Sequence, residues 1–81
     1  MDGHARLVFL GRLEDVAGMA ELAVAPGPLE HILATLPPEL AIALLDDRVR
    51  LALGGELLTH GGGIVLQPGD ELAFLPPVSG G

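Results

Sequence analysis

The stretch Gln67-Pro68-Gly69-Asp70-Glu71-Leu72-Ala73-Phe74-Leu75-Pro76-Pro77-Val78-Ser79-Gly80-Gly81 decides how the rest of this sequence is read. Proline then glycine at the centre of Gln67-Pro68-Gly69-Asp70 predicts a type II turn, because proline pre-sets the first φ and glycine accepts the positive second one. The turn leads into a strand over Glu71 to Leu75. Pro76 and Pro77 fix φ and lack an N–H, so the chain must leave the sheet ladder after Leu75 and continue extended. The expected division is a folded domain over residues 1–75 and a tail over residues 76–81. Val78 to Gly81 can reach about 13–14 Å when extended, enough to enter a cleft on another protein.

Gly80 and Gly81 have no Cβ, so their backbone fits a channel too narrow for side chains. This makes the Gly81 carboxylate the candidate reactive group, with Pro76, Pro77, Val78, Ser79 and Gly80 as the segment that threads into the partner. Glycine fills 12 of the 81 positions, so a chance Gly-Gly is the competing explanation and the diproline lead-in must share the weight. A frayed end is the structural alternative.

Upstream, Leu7-Val8-Phe9-Leu10 before Gly11 is a continuous apolar run, expected to be a strand buried on both faces. Leu13 to Ala17 predicts a helical turn closed by Gly18, and Glu21 to Val24 an antiparallel return strand. Pro28 suits the first position of a main helix, in which Leu29, Ile32, Leu33 and Leu36 share one face. Pro37-Pro38 interrupts that helix, and Glu39 to Leu45 predicts a second short helical stretch before a turn at Asp46-Asp47. Val49, Leu51 and Leu53 alternate with Arg50 and Ala52 as in a half-buried strand, and Gly54-Gly55 turns it into Glu56-Leu57-Leu58. The order β, β, α, β, short β, β, without a βαβα repeat, predicts an α+β domain with a mixed sheet covered on one face by a helix.

Composition removes several functions. Eighty-one residues make a single small domain. The absence of cysteine excludes a disulfide framework, a cysteine nucleophile and zinc-ribbon spacing. Four arginines against eleven acids give a net charge of −7, which argues against nucleic-acid and anionic-membrane partners and suits a basic protein surface. The absence of lysine removes Schiff-base chemistry, a P-loop and any lysine acceptor for self-conjugation. With neither a membrane-length apolar run nor a leader pattern in the reading, a cytoplasmic protein is expected.

Catalytic groupings are sparse. His60-Gly61-Gly62-Gly63 matches an oxyanion-loop pattern, but the sole serine is Ser79 and no nucleophile elbow exists, so the glycines read as a loop. His4, His31 and His60 form no paired ligand motif, and no metal site is expected. Asp46-Asp47 reads as turn chemistry and Asp70-Glu71 as the start of a strand.

Three segments carry a family resemblance: Leu7-Val8-Phe9-Leu10-Gly11-Arg12-Leu13-Glu14-Asp15-Val16-Ala17-Gly18, Leu51-Ala52-Leu53-Gly54-Gly55-Glu56, and Gln67 through Gly81. Together they resemble the small subunit of molybdopterin synthase over nearly the whole chain. The Pro-Pro-Val-small-Gly-Gly ending is its most specific part. Gly54-Gly55 departs from the Asn-Gly common in that family, which keeps the turn and removes an asparagine side chain. The sulfur carriers of thiazole synthesis share the fold and the Gly-Gly, usually without the diproline, and rank second. A ubiquitin-like protein modifier is a further alternative.

The resemblance implies a ubiquitin-like β-grasp fold and a carrier that is not catalytic by itself. An E1-like adenylating enzyme, using ATP and Mg²⁺, would activate Gly81. A sulfurtransferase would supply the sulfur that converts it to a thiocarboxylate. The molybdopterin synthase large subunit would then receive the tail beside cyclic pyranopterin monophosphate. No cofactor is expected on the chain itself. By position, Phe9, Leu10, Leu57, Phe74 and Leu75 are the candidates for an apolar partner-binding patch. Alternation favours the core for Phe9 and Phe74, leaving Leu10, Leu57 and Leu75 as the better interface candidates.

Overall fold

Ala5, Leu7 and Phe9 fall on one side of the first strand and Arg6 and Val8 on the other, and this period of two sets the architecture. A computed structural model describes residues 3–58 and 62–77. The elements run β1 Ala5–Phe9, α1 Arg12–Ala17, β2 Glu21–Val24, β3 Gly27–Pro28, α2 Leu29–Ala34, α3 Pro38–Leu44, β4 Arg50–Leu53, β5 Glu56–Leu57, β6 Val65–Leu66 and β7 Glu71–Leu75. Five strands form one mixed sheet in the order β2-β1-β7-β4-β5. β7 lies at its centre, parallel to β1 and antiparallel to β4. With the helices contributing to a single core on one face, this is the β-grasp arrangement.

That core joins Leu7, Phe9, Leu72 and Phe74 from the sheet to Leu13 of α1, Leu29, Ile32 and Leu33 of α2, and Leu40 and Leu44 of α3. Phe9 and Phe74 face each other across the β1–β7 ladder, with ring centroids 5.9 Å apart and planes inclined by 22°. Truncating either ring would cost about 3–5 kcal/mol, a large share of what so small a domain can hold.

Several expectations change in detail. β1 is buried on one face, because among the described residues no element covers the side that carries Arg6 and Val8. Pro28 caps α2 at ψ 135° instead of occupying its first turn. The expected main helix ends at Ala34, with Leu36 half-buried outside it. A second sheet pairs β3 with β6 and was not expected, since two-residue strands are too short to show a period. It holds Leu66 in the core, and just before β6 the Ile64 carbonyl accepts from the Leu29 N–H at 2.9 Å.

The turns follow their chemistry. Gly54 and Gly55 have φ of 59° and 86°, the two positive values of a tight hairpin between β4 and β5. Asp70 N–H donates to the Gln67 carbonyl at 3.0 Å, and the Asp70 carboxylate accepts from the Gln67 N–H at 2.8 Å, closing the turn that launches β7.

Candidate functional site

The parallel register of β1 and β7 continues past the ladder and builds the root of the tail. Arg6 faces Glu71 and Phe9 faces Phe74. One step on, the Leu10 N–H donates to the Phe74 carbonyl at 3.1 Å. The next step brings Gly11 against Pro76, where an ideal Cβ on Gly11 would stand 2.8 Å from the Pro76 Cγ. Gly11 has φ 55° and ψ −134°, a conformation that glycine alone adopts readily. The proline ring therefore sits on a bare Cα at the point where the chain turns into α1.

Cross-strand partners share a face, so the register also defines the uncovered side of the sheet. Leu75 faces Arg50, Ala73 lies between Val8 and Ala52, and Leu57 faces Ala52. Leu57 is 61% exposed and Leu10 40%, whereas Leu75 is half-buried. This apolar strip ends at the tail root. At its far end Arg6 pairs with Glu71 and with Glu21, the latter at 3.4 Å.

Of the residues expected to bind a partner, Leu75 and the exposed Leu10 lie beside the tail root, whereas Leu57 lies on the edge strand β5, level with Ala73 and two strands from β7. Phe9 and Phe74 must be corrected: each is 1% exposed, so neither side chain can line a docking surface on the free chain. Pro76 and Pro77 are half-buried and outside any strand. Val78, Ser79, Gly80 and Gly81 lie outside the described residues. Gly11, Val8, Arg50, Ala52 and Ala73 belong to the site and escaped sequence reasoning. Val8 and Gly11 reach it through the parallel pairing of β1 with β7, and Arg50 and Ala52 through the antiparallel pairing of β4 with β7, long-range contacts that no local pattern reveals.

The other polar groups have local roles. Asp46 accepts from the Arg48 N–H at 2.8 Å and from its guanidinium at 2.9 and 3.1 Å. The guanidinium bond first, and the backbone N–H second, hold the Asp46 pKa down at about 2, unsuited to proton transfer near neutrality. His31 is exposed on α2 and His60 lies outside the described residues. A cavity of about 600 Å³ lies between β2 and the helices, with Met19, Leu22, His31 and Leu36 among its walls. None of its wall residues belongs to β7 or to Pro76-Pro77, so it is separate from the tail root. Among the described residues no helix is long and apolar enough to cross a membrane.

The profile of the ThiS family matches residues 7–81. The chain belongs to the ThiS family. Its members are ubiquitin-like sulfur carriers that work with E1-like activating enzymes and sulfur-transfer enzymes. No curated protein matches the sequence. Among solved structures, the chain is similar to small archaeal modifier protein 1 (SAMP1) from Haloferax volcanii, with 27% identity, a TM-score of 0.74 and coverage of 98% of this chain and 100% of that one. It is similar in fold to small archaeal modifier protein 1 from Methanosarcina acetivorans, at 20% identity and a TM-score of 0.73, covering 100% and 99% of the two chains. The Haloferax volcanii HVO 2177 protein has 24% identity and a TM-score of 0.70, with 98% and 87% covered. The ThiS-family assignment thus carries the carrier chemistry, and the structural neighbours independently carry the β-grasp fold.

Proposed function

We propose that this ThiS-family chain is the sulfur-carrying small subunit of a molybdopterin synthase. Family membership through Gly81 is the observation that carries the reading, and the central strand running straight to Pro76-Pro77 supports it. A carboxylate is a poor electrophile because oxide would have to leave. An E1-like enzyme using ATP and Mg²⁺ therefore joins the Gly81 carboxylate to AMP and releases pyrophosphate. The persulfide of a sulfurtransferase displaces AMP to give an acyl disulfide, and a thiol reductant then cleaves its S–S bond, leaving a thiocarboxylate. In the large subunit that sulfur attacks an oxygen-bearing carbon of cyclic pyranopterin monophosphate, forming a C–S bond as the C–O bond at that carbon breaks and the oxygen group leaves, and water then cleaves the thioester, releasing Gly81 as a carboxylate with the sulfur left on the pterin. Two deliveries build the dithiolene.

The carrier supplies the reacting atom and a docking face, and the partner supplies acid–base groups and anion-binding residues. Leu10, Leu57 and Leu75 dock the chain, while Pro76, Pro77, Val78, Ser79 and Gly80 thread the tail. The test gives chain bearing a chemically installed Gly81 thiocarboxylate to the large subunit with cyclic pyranopterin monophosphate. Dithiolene product with recovery of the Gly81 carboxylate is expected. No sulfur in the pterin, with transfer to a thiazole precursor instead, would overturn the assignment to this synthase.

A second reading is a protein modifier, favoured by the 27% identity to small archaeal modifier protein 1 of Haloferax volcanii over nearly all of both chains. Under it the activated Gly81 forms an amide with a lysine of another protein. Isopeptide-linked Gly81 on cellular proteins, found without the thiocarboxylate, would favour this second reading.

A further inference from the structure

We propose that the outer edge of β2 and the cavity beside it form a binding site for an extended peptide segment of a protein partner, one with alternating aliphatic residues flanked by cations. The site is independent of Gly81. β2 is the outermost strand of the five-stranded sheet and pairs with β1 alone among the described residues. The Ala20 carbonyl accepts from the Phe9 N–H at 2.8 Å, so Ala20 turns its backbone groups toward β1. That direction alternates along an antiparallel pair: Leu22 and Val24 also point to β1, whereas Glu21 and Ala23 point their N–H and C=O groups outward. Those outward groups have no backbone partner among the described residues. Such an edge is a template for one more strand. Pro26, which has no N–H to offer, ends the template on one side.

Side-chain direction fixes what the added strand carries. Leu22 and Val24 lie opposite Leu7 and Ala5 on the core side, and both line the cavity of about 600 Å³ between β2 and the helices. Cross-strand partners share a face, so residues added opposite Leu22 and Val24 would project over that cavity. There they would cover Met19, which is 43% exposed, and the half-buried Leu22 and Leu36. The site therefore selects two aliphatic side chains separated by one residue. Charge decides between occupants. Every described wall residue comes from the stretch between Leu13 and Leu45, which holds Glu14, Asp15, Glu21, Glu30 and Glu39 and neither arginine nor lysine. A second copy would bring the same acids and a net charge of −7 to the edge, whereas lysine or arginine beside the aliphatic pair is attracted. Glu21 is the anchor for that cation, because its 3.4 Å contact with Arg6 is shared with Glu71 and it stays exposed. None of the cavity walls comes from β7 or Pro76-Pro77, so the peptide and a tail-root partner can be held at once.

The test uses the full chain, isotope-labelled for NMR, and a synthetic amidated peptide, Lys-Lys-Val-Thr-Val-Lys-Lys, whose palindromic order presents the same residues in either strand direction. Saturable shifts should centre on β2 and α2. Exchange of the Glu21 and Ala23 amide protons should slow at least about tenfold at saturation, with the Leu10 and Leu75 amides unmoved. Replacing both valines by serine keeps the charge and should weaken binding at least about tenfold, as loss of apolar anchors does. Ala23→Pro deletes one outward N–H, and Met19→Lys puts a cation into the cavity wall. Both positions are exposed, and each variant should bind about tenfold more weakly while unaltered thermal unfolding shows the fold intact. If Ala23→Pro fails to fold, Met19→Lys carries the comparison. Equal affinity of the serine peptide would reduce the effect to surface charge and overturn the proposal. So would the absence of a saturable response up to about 1 mM peptide, or shifts confined to Leu10 and Leu75. Protection of Glu21 and Ala23 that grows with protein concentration, without peptide, would place a second copy on the edge and equally overturn it.

Discussion

A methyl group at position 11 would collide with the tail before it reached any partner, because the Pro76 Cγ lies 2.8 Å from where that Cβ must go. The φ of 55° adds backbone strain. Together these predict that Gly11→Ala destabilises the fold by about 1–3 kcal/mol in urea unfolding and slows adenylation of Gly81 by displacing the tail root. Adding Pro76→Gly removes the collision and leaves the strain, so the double variant should recover adenylation more than stability. Equal recovery of both, or of neither, would deny Gly11 its role in seating the tail. Asp46 gives a second prediction. Its pKa is lowered from 3.8 to about 2 by Arg48, so its stabilising contribution is complete above the unfolded value and fades as pH falls through 3.8 toward 2. Asp46→Asn should therefore be less stable than wild type at neutral pH, with the gap narrowing below pH 3.8. A gap that stays constant down to pH 2 would refute the pairing as its cause.

β7 shows how one element serves fold and site at once. Leu72 and Phe74 point into the core while Glu71, Ala73 and Leu75 point to the uncovered face, so neighbouring residues have opposite duties. Phe74→Ala should lower stability by about 3–5 kcal/mol, enough to blunt cooperative unfolding. Leu75→Glu should keep cooperative unfolding and weaken large-subunit binding at least about tenfold, as when a buried interface anchor is lost. Loss of cooperative unfolding in Leu75→Glu would place that side chain in the core and sink its docking role. Both ends of β7 were legible in the sequence, the first from Pro68-Gly69 and the last from Pro76-Pro77. The β2 boundaries and the β4–β5 hairpin were also readable, because turn residues and alternation are local signals. The parallel pairing of β7 with β1 was not, since it joins opposite ends of the chain. With it were hidden the seat at Gly11 and the Val8–Ala73–Ala52 strip. The extra β3–β6 pair was hidden for a different reason: strands of two residues have no period to read.

At the scale of the whole molecule, a β-grasp body places its central strand so that the last rung opens onto the tail. The uncovered sheet face lies beside that exit, and the net charge of −7 favours a partner with a basic surface. Whether Gly81 carries sulfur can be read from the mass of the C-terminal peptide. The chain is incubated with ATP, Mg²⁺, the activating enzyme and a sulfur source, then cleaved, and the C-terminal peptide is weighed at high resolution. A fragment free of Met1 and Met19 is needed, because methionine oxidation nearly mimics the exchange of oxygen for sulfur. Replacement of one oxygen by sulfur, confined to the peptide that ends at Gly81, is the expected result. An adenylate that forms there and never acquires sulfur, or a Gly81 that is never activated, would contradict it.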